Sequence, residues 1–190
     1  MDRTVSVTVI VIIVVVVLLG LWLAATYNRL VKRRNEVQEG WAGIDVQLQR
    51  RADLVPNLVE TVKGYAAHEE GVLTEVTNAR AGLMNAQGPA EAGAADDMLS
   101  KALGRLFAVA EAYPDLKASE NFQSLQGELS KLEEEISFAR RYYNAVVENF
   151  NTAIQTFPNV LIAGPMGFKA AEFFKAGDAA RTVPTVEFGT

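Results

Sequence analysis

The chain has 190 residues, a formal net charge of −5 and no cysteine. The acidic balance excludes a basic nucleic-acid surface, and the lack of cysteine excludes a disulfide framework or a thiolate metal site. Roughly 160 residues follow the apolar N-terminal stretch, a length that predicts one further domain.

The first element is an uncharged apolar run from Val5 to Ala25. About 21 residues form ~32 Å of helix, enough to cross a hydrocarbon core of roughly 30 Å. The β-branched run Val14–Val17 would suggest a strand in water, but a single segment in lipid satisfies its backbone only as a helix. We predict that residues 1–26 are a transmembrane anchor, because the run is longer than the apolar region of a cleaved signal peptide.

Basic residues follow this anchor at once, at Arg29, Lys32, Arg33 and Arg34. Only Arg3 precedes it. By the positive-inside rule, this asymmetry predicts a cytoplasmic C-terminal part in a single-pass protein. The alternative is an extracytoplasmic or periplasmic domain.

Helical periodicity continues from Tyr27 to about Arg51, where apolar residues recur at steps of three and four. Asp53 and Pro56 then resemble a cap and a first turn, so we predict a hairpin there and a second helix to about Ala86. The alternative is one long helix kinked at Pro56. Residues 87–95 are rich in glycine, proline and alanine and are predicted to be a loop.

A third helix is predicted from Asp96 to about Ala112, ending before Pro114. A fourth helix is predicted after Ser119, where an apolar repeat of 3.5 residues over about five heptads indicates a coiled-coil-like seam. Its apolar positions are Phe122, Leu125, Leu129, Leu132, Ile136, Ala139, Tyr143, Val146, Phe150, Ile154 and Phe157. The fold class is therefore all-α, an N-terminal transmembrane helix followed by an antiparallel up-and-down, four-helix-type bundle. We place the bundle at 27–157 and a C-terminal tail with a short helix, around Phe168 to Lys175, at 158–190.

Several long blocks of the chain carry a family resemblance. They are the anchor followed by YNRLVKRRNEVQEGW, IDVQLQRRADLVPNLVETVKGYAAHE, EAYPDLKASENFQSLQGEL and ARRYYNAVVENFNTAIQTFP. In this order they resemble the LemA family of bacterial membrane proteins, from the anchor to about Phe174. The resemblance implies a bacterial inner (cell) membrane location, a transmembrane helix and an antiparallel helical bundle, and it implies no catalytic residues.

Candidate chemistry is sparse. A di-iron site in a bundle needs two Glu-x-x-His motifs, but His68 is the chain's single histidine, and tyrosine rather than glutamate stands three residues before it. Neither a Gly-x-Ser-x-Gly elbow nor a phosphate-binding glycine loop occurs. We therefore predict no catalytic, cofactor-binding or metal residues, no cofactor and no enzyme. The alternative is a bundle-borne enzyme or ligand receptor with an unrecognised site.

Two other features concern contacts between proteins. Amides and aromatics mix between Tyr142 and Asn151, which indicates either a hydrogen-bonded polar layer or a partner-binding groove. The apolar tail either covers the bundle end or forms an exposed apolar patch that contacts a partner or the membrane. The predicted oligomerisation residues are two small residues four apart in the anchor and three tail aromatics: Gly20, Ala24, Phe168, Phe173 and Phe174.

The sequence thus predicts a non-enzymatic scaffold or adaptor of the bacterial envelope. Its predicted partners are the lipid bilayer, further copies of the chain in a homo-oligomer, and other membrane proteins, with no nucleic acid.

Overall fold

The computed structural model describes the backbone of residues 2–174 and the side chains of residues 6–174. Within that range every regular element is a helix, which confirms the all-α fold class. The helices are α1 (Asp2–Lys63), α2 (Glu70–Asn85), α3 (Gly88–Ala110), α4 (Pro114–Lys117), α5 (Glu120–Gln155) and α6 (Val160–Ala163).

The chain forms two compact units. Unit 1 consists of Met1–Glu39 and Ala145–Ala171, and unit 2 consists of Gly40–Asn144 and Glu172–Thr190. Both α1 and α5 contribute residues to each unit. The predicted domain boundaries at residues 26 and 157 stay predictions.

The N-terminal part of α1 is apolar and unburied. Its large hydrophobic side chains between Val7 and Trp22 are 37–63% exposed. Among the described residues, α1 is the one helix long and apolar enough to cross a membrane. Such a continuous apolar surface is costly in water and stable in a hydrocarbon core, so the N-terminal half of α1 is a candidate membrane-spanning segment.

In unit 2 the helices pack side by side. Ala86 and Gln87 alone join α2 to α3, and Glu75 near the start of α2 pairs with Arg105 near the end of α3 at 2.8 Å. The two helices are therefore antiparallel, as short connections require.

Helix α5 runs against both α1 and α3. Trp41 of α1 packs on Tyr143 of α5 with ring centroids 6.1 Å apart, while Arg50, later in α1, pairs with the earlier Glu135. Phe107 at the end of α3 meets Phe122 at the start of α5. Alternating directions in sequence order make unit 2 an up-and-down bundle.

The predicted hairpin at Asp53–Pro56 is wrong, because α1 continues through Pro56 to Lys63. A proline inside a helix has no N–H for the carbonyl four residues earlier, which here belongs to Ala52. In the structure, Arg80 Nε of α2 donates to that carbonyl oxygen at 2.7 Å. The tertiary contact thus satisfies the acceptor that Pro56 leaves unpaired. The chain turns instead at residues 64–69.

The predicted loop over residues 87–95 is also wrong, since α3 begins at Gly88. Gly88 has a φ of +79°, which glycine adopts at little cost. Pro89 then occupies the first turn, where a missing N–H does no harm. Glu91 completes the start by accepting a hydrogen bond from the Gln87 N–H at 2.9 Å.

The apolar stripe of α5 is largely buried, although the coiled-coil description stays a prediction. Val147 is buried in place of the expected Val146, and Phe157 beyond the helix end is 75% exposed. The predicted positions that are buried are Phe122, Leu129, Leu132, Ile136, Tyr143, Phe150 and Ile154.

The helix expected around Phe168 to Lys175 is not formed by residues 168–174, and Lys175 lies outside the described residues. The described residues 168–174 have no helical turn, and the short helix is α6, closer to the end of α5. Gly167, with a φ of +78°, stands between α6 and this stretch. The apolar side chains of residues 168–174 suggested a helix face. Instead, hydrogen bonds between the main chain of this segment and side chains of α5 hold it in place.

Candidate functional site

The predicted oligomerisation residues lie in different surroundings. Gly20 and Ala24 are exposed on α1, and a Cβ added at Gly20 would contact nothing. Phe168 and Phe174 are 5% and 1% exposed, whereas Phe173 between them is 41% exposed. Within one protomer, Phe168 and Phe174 are therefore buried, and the oligomeric role of all five residues stays a prediction.

In unit 1, an asparagine of α5 holds the tail by its backbone. Asn151 Nδ2 donates to the Ala171 carbonyl at 2.9 Å, and the Ala171 N–H donates to Asn151 Oδ1 at 2.8 Å. We call this pair the Asn151 clamp. It satisfies both main-chain groups of one tail residue, as an adjacent β-strand would.

Phe168 anchors the same stretch of tail in unit 1. Its ring meets Tyr27 of α1 edge-on at 5.7 Å and Phe150 of α5 at 6.4 Å. The Arg34 guanidinium lies 5.4 Å from the ring centroid, within the range of a cation–π contact. Arg33 beside it donates to the Asn149 carbonyl at 2.8 Å. Two of the four basic residues after the apolar run thus have partners within this unit.

In unit 2, a second asparagine makes the same pair of bonds, which we call the Asn144 clamp. Asn144 Nδ2 donates to the Phe174 carbonyl at 3.0 Å, and the Phe174 N–H donates to Asn144 Oδ1 at 2.9 Å. The Phe174 ring packs near Trp41 and lies 4.9 Å from the Arg140 guanidinium.

Tyr143 adds a further backbone contact in unit 2, since its buried hydroxyl donates to the Glu172 carbonyl at 2.7 Å. The sequence indicated amides and aromatics on this part of α5 without showing what they contact. Asn144, Asn151 and Tyr143 bind the tail, whereas Tyr142 is 47% exposed.

The Tyr143 hydroxyl predicts an alkaline pH dependence. Burial, and secondly the charge of Glu172, raise the pKa of Tyr143 to about 12. The unfolded chain would release this proton near pH 10, so the folded state binds more protons between the two values and its stability falls as pH rises through them.

We therefore expect Tyr143→Phe to lower the free energy of unfolding by about 1 kcal/mol at neutral pH, through the lost hydrogen bond. Above about pH 10 the gap between wild type and variant should narrow. Denaturant unfolding of the detergent-solubilised protein at several pH values measures both effects. Tyr142→Phe is the control, and an equal alkaline response in both variants would contradict the assignment.

A second cluster, also in unit 2, consists of ionic side chains between helices. Arg51 Nη1 of α1 lies 2.8 Å from Asp96 Oδ1 of α3 and 2.7 Å from Glu133 Oε2 of α5. Arg140 Nη2 contacts Asp96 Oδ2 at 3.0 Å. Two positive and two negative groups thus join three helices in what we call the Asp96 cluster.

Asp96 has no exposed surface, and Arg51 is 4% exposed. Burial raises the pKa of the Asp96 carboxyl above its ordinary value of 3.8, because loss of solvation outweighs the attraction of Arg51. A fully buried carboxyl is out of reach of a substrate, so the cluster is a structural feature. Sequence reasoning missed it, although Asp96 falls at an apolar position between the buried Ala92 and Leu99.

The remaining candidate residues do not converge. His68 is exposed, and the described residues contain no group of three His, Cys, Asp or Glu side chains that could hold a metal ion. A groove of about 490 Å³ lies between α1 and α5 in unit 2 and is lined largely by charged side chains, among them Arg50, Asp53, Glu128 and Lys131. It is open to solvent and unlike the apolar pockets that bind small ligands.

Over residues 2–174, the fold and these contacts define an all-helical protein with one candidate membrane-spanning helix. Residues 40–188 match the LemA family, and the chain belongs to that family. It is 30% identical to the protein LemA of Metamycoplasma hominis, over 81% of this chain and 71% of that protein. It is 28% identical to the magnetosome protein MamQ 2 of Paramagnetospirillum magneticum, over 85% and 70% respectively. With MamQ of Magnetospirillum gryphiswaldense the identity is 26%, over 86% of this chain and 71% of that protein.

Proposed function

We propose that this protein is a non-enzymatic, single-pass scaffold of the bacterial inner membrane, whose helical bundle contacts other proteins and further copies of itself. The observation that carries the proposal is the apolar surface of α1, exposed between Val7 and Trp22. This apolar surface requires lipid around it. Later residues of the same helix, such as Ile44 and Leu58, are buried in the core of a bundle. The names of the relatives describe no reaction, which supports a non-enzymatic role.

The basic residues from Arg29 to Arg34 support a cytoplasmic bundle. Anionic lipids of the cytoplasmic leaflet attract such a cluster, and Arg29 and Lys32 are exposed to meet them. A single cysteine at the exposed Gln87 tests the orientation, because the chain has no other cysteine. Labelling of this cysteine by an impermeant maleimide in intact spheroplasts would contradict it.

An exposed aromatic pair on α5 supports protein contact. Phe138 is 69% exposed and Tyr142, one turn later on the helix, is 47% exposed. Aromatic side chains at such positions are enriched in protein interfaces. We propose that this pair contacts another protein in the membrane.

Photo-crosslinking in native membranes tests this surface. A photoreactive residue at Phe138 should give a crosslinked product heavier than the protomer, whereas the same residue at Gln126, an exposed polar position of α5, should not. Absence of a heavier product from Phe138, or equal products from both positions, would contradict the proposed contact surface.

A further inference from the structure

The end of α5 and the short helix α6 present three large apolar side chains to solvent. Phe157 is 75% exposed, Leu161 is 66% exposed and Val160 is 49% exposed. We call these three side chains the α6 patch. They lie in unit 1, which also contains the N-terminal part of α1. Large apolar side chains exposed side by side indicate a contact surface.

The other side of the same segment is packed within unit 1. Ile154 at the end of α5 is 8% exposed, and Ala163 at the end of α6 is 3% exposed. The Ala163 N–H donates to the Asn159 carbonyl at 2.8 Å and closes the single turn of α6. Buried residues thus hold the segment in place, and the α6 patch forms its outer side.

Contacts within unit 1 place α6 beside the end of the apolar run of α1. The Phe168 N–H donates to the Ala163 carbonyl at 3.0 Å, so the end of α6 adjoins Phe168. The Phe168 ring in turn meets the Tyr27 ring with centroids 5.7 Å apart. Tyr27 stands two residues after Ala25, the last residue of the apolar run. The α6 patch therefore lies near the level at which a membrane-spanning α1 leaves the hydrocarbon core.

The distribution of charge fits the same level. No charged residue occurs between Glu148 and Lys169, a stretch that contains the end of α5 and all of α6. Charged side chains are costly in the hydrocarbon region, whereas uncharged apolar ones are stable there. On α1, the exposed Arg29 and Lys32 follow directly after Tyr27 and can contact anionic headgroups. An uncharged apolar patch beside exposed basic residues has the chemistry of an interfacial membrane contact.

We propose that the α6 patch inserts into the membrane interface beside α1 and forms a second contact between unit 1 and the lipid. This inference rests on the membrane-spanning helix of the proposed function and adds a lipid-binding surface outside that helix. The rotation of a spanning helix about its own axis is set by packing and by interfacial side chains. The α6 patch thus fixes which face of unit 1 is turned toward the membrane.

Depth-dependent fluorescence quenching tests the insertion. The full-length protein is reconstituted into vesicles of phosphatidylethanolamine and phosphatidylglycerol that carry a nitroxide either near the headgroup or near the end of the acyl chain. The chain has no cysteine, so each variant carries one introduced cysteine with a small fluorophore. The fluorophore at Leu161→Cys should lose most of its fluorescence to the shallow nitroxide and less to the deep one.

Glu148→Cys is the matched control, since Glu148 is an exposed residue of α5 in the same unit. Its neighbour Asn149 accepts a hydrogen bond from Arg33, which stands eight residues after Ala25, about 12 Å along the helix. A fluorophore at Glu148→Cys should therefore lose little fluorescence to either nitroxide. Equal quenching at Leu161 and Glu148 would overturn the inference.

Val15→Cys, in the middle of the apolar run, separates this inference from the proposed function. If α1 spans the membrane, its fluorophore should be quenched more by the deep nitroxide than by the shallow one. Absence of quenching at Val15 would contradict the proposed function. Deep quenching at Val15 without shallow quenching at Leu161 would overturn the α6 contact alone. A fluorophore at Leu161 that is shielded from both nitroxides and from aqueous iodide would also overturn it, because protein rather than lipid would then cover the patch.

Polar substitutions in the patch provide the second test. With the fluorophore at Leu161→Cys, adding Phe157→Ser and Val160→Ser should lower the shallow quenching to the level of Glu148→Cys. Phe138→Ser with Tyr142→Ser removes two exposed aromatic rings from unit 2 and should leave the quenching unchanged. If circular dichroism shows that the Phe157, Val160 double variant has lost helix, the two single variants replace it. Quenching that these variants do not reduce would show that the α6 patch does not hold the segment in the interface.

Discussion

Replacing Asp96 by alanine is expected to lower the free energy of unfolding by about 3–5 kcal/mol. Arg51, 4% exposed, would keep Glu133 as its one carboxylate partner, and Arg140 would lose the contact to Asp96 Oδ2. A buried cation that loses one of its two carboxylate partners is costlier than the intact cluster, because its charge is compensated less fully. Denaturant unfolding of the solubilised protein, followed by circular dichroism, measures the change.

Two comparisons make the Asp96 result specific. Glu75→Ala removes the exposed ion pair with Arg105 and should cost at most about 1 kcal/mol, because solvent screens that pair. Arg51→Met with Asp96→Leu removes charges from both sides of the buried pair and should recover most of the stability lost by Asp96→Ala. A loss from Asp96→Ala no larger than that from Glu75→Ala would show that the Asp96 cluster does not stabilise the bundle.

Phe174→Ala is expected to release residues 172–174 from α5. Phe174 is 1% exposed and packs near Trp41 and Arg140, and deleting a buried phenyl ring costs about 3–5 kcal/mol. The opening equilibrium of the tail should rise by roughly 100-fold or more. Limited trypsin digestion measures it, since Lys169 lies in the held segment and is exposed.

Phe173→Ala is the matched control, because Phe173 is the adjacent residue of the same type but is 41% exposed. It should change the rate of cleavage after Lys169 little. Equal protection in the Phe174 variant and the wild type would mean that the clamps hold the tail without this ring. Equal loss of protection in both variants would mean that Phe173 also contributes to docking.

The Asp96 cluster also bears on how the bundle selects one arrangement. A buried ion pair contributes little stability relative to an apolar pair of similar size, but the Asp96 carboxylate accepts hydrogen bonds from arginines of two different helices, at 2.8 and 3.0 Å. We expect the Arg51→Met, Asp96→Leu double variant to fold, and its near-ultraviolet circular dichroism would show whether the aromatic packing stays ordered. A lost near-ultraviolet signal with retained helix content would assign the cluster a role in specifying the packing.

The sequence by itself determined the candidate membrane-spanning segment, the all-helical class and most of the buried stripe of α5. These features follow from local patterns. A run of about 21 apolar, uncharged residues is costly to expose to water. An apolar repeat of 3.5 residues places its members on one face of a helix, which is then buried. The same sequence blocks also carried the resemblance to the LemA family, which the family match over residues 40–188 confirmed.

Tertiary structure alone decided where α1 ends, how residues 168–174 pack on α5 and why Asp96 is buried. Pro56 and Gly88 are helix breakers by local propensity. Helix α1 nevertheless continues through Pro56, because Arg80 donates to the Ala52 carbonyl. Helix α3 begins at Gly88, where the Gln87 N–H bonds to Glu91. Residues 168–174 are not helical, because Asn144 and Asn151 satisfy backbone groups of Phe174 and Ala171 that a short isolated helix would satisfy less fully. The bond between Gln87 and Glu91 is local, since the two residues are four apart, whereas Arg80, Asn144 and Asn151 meet their partner groups only in the folded chain.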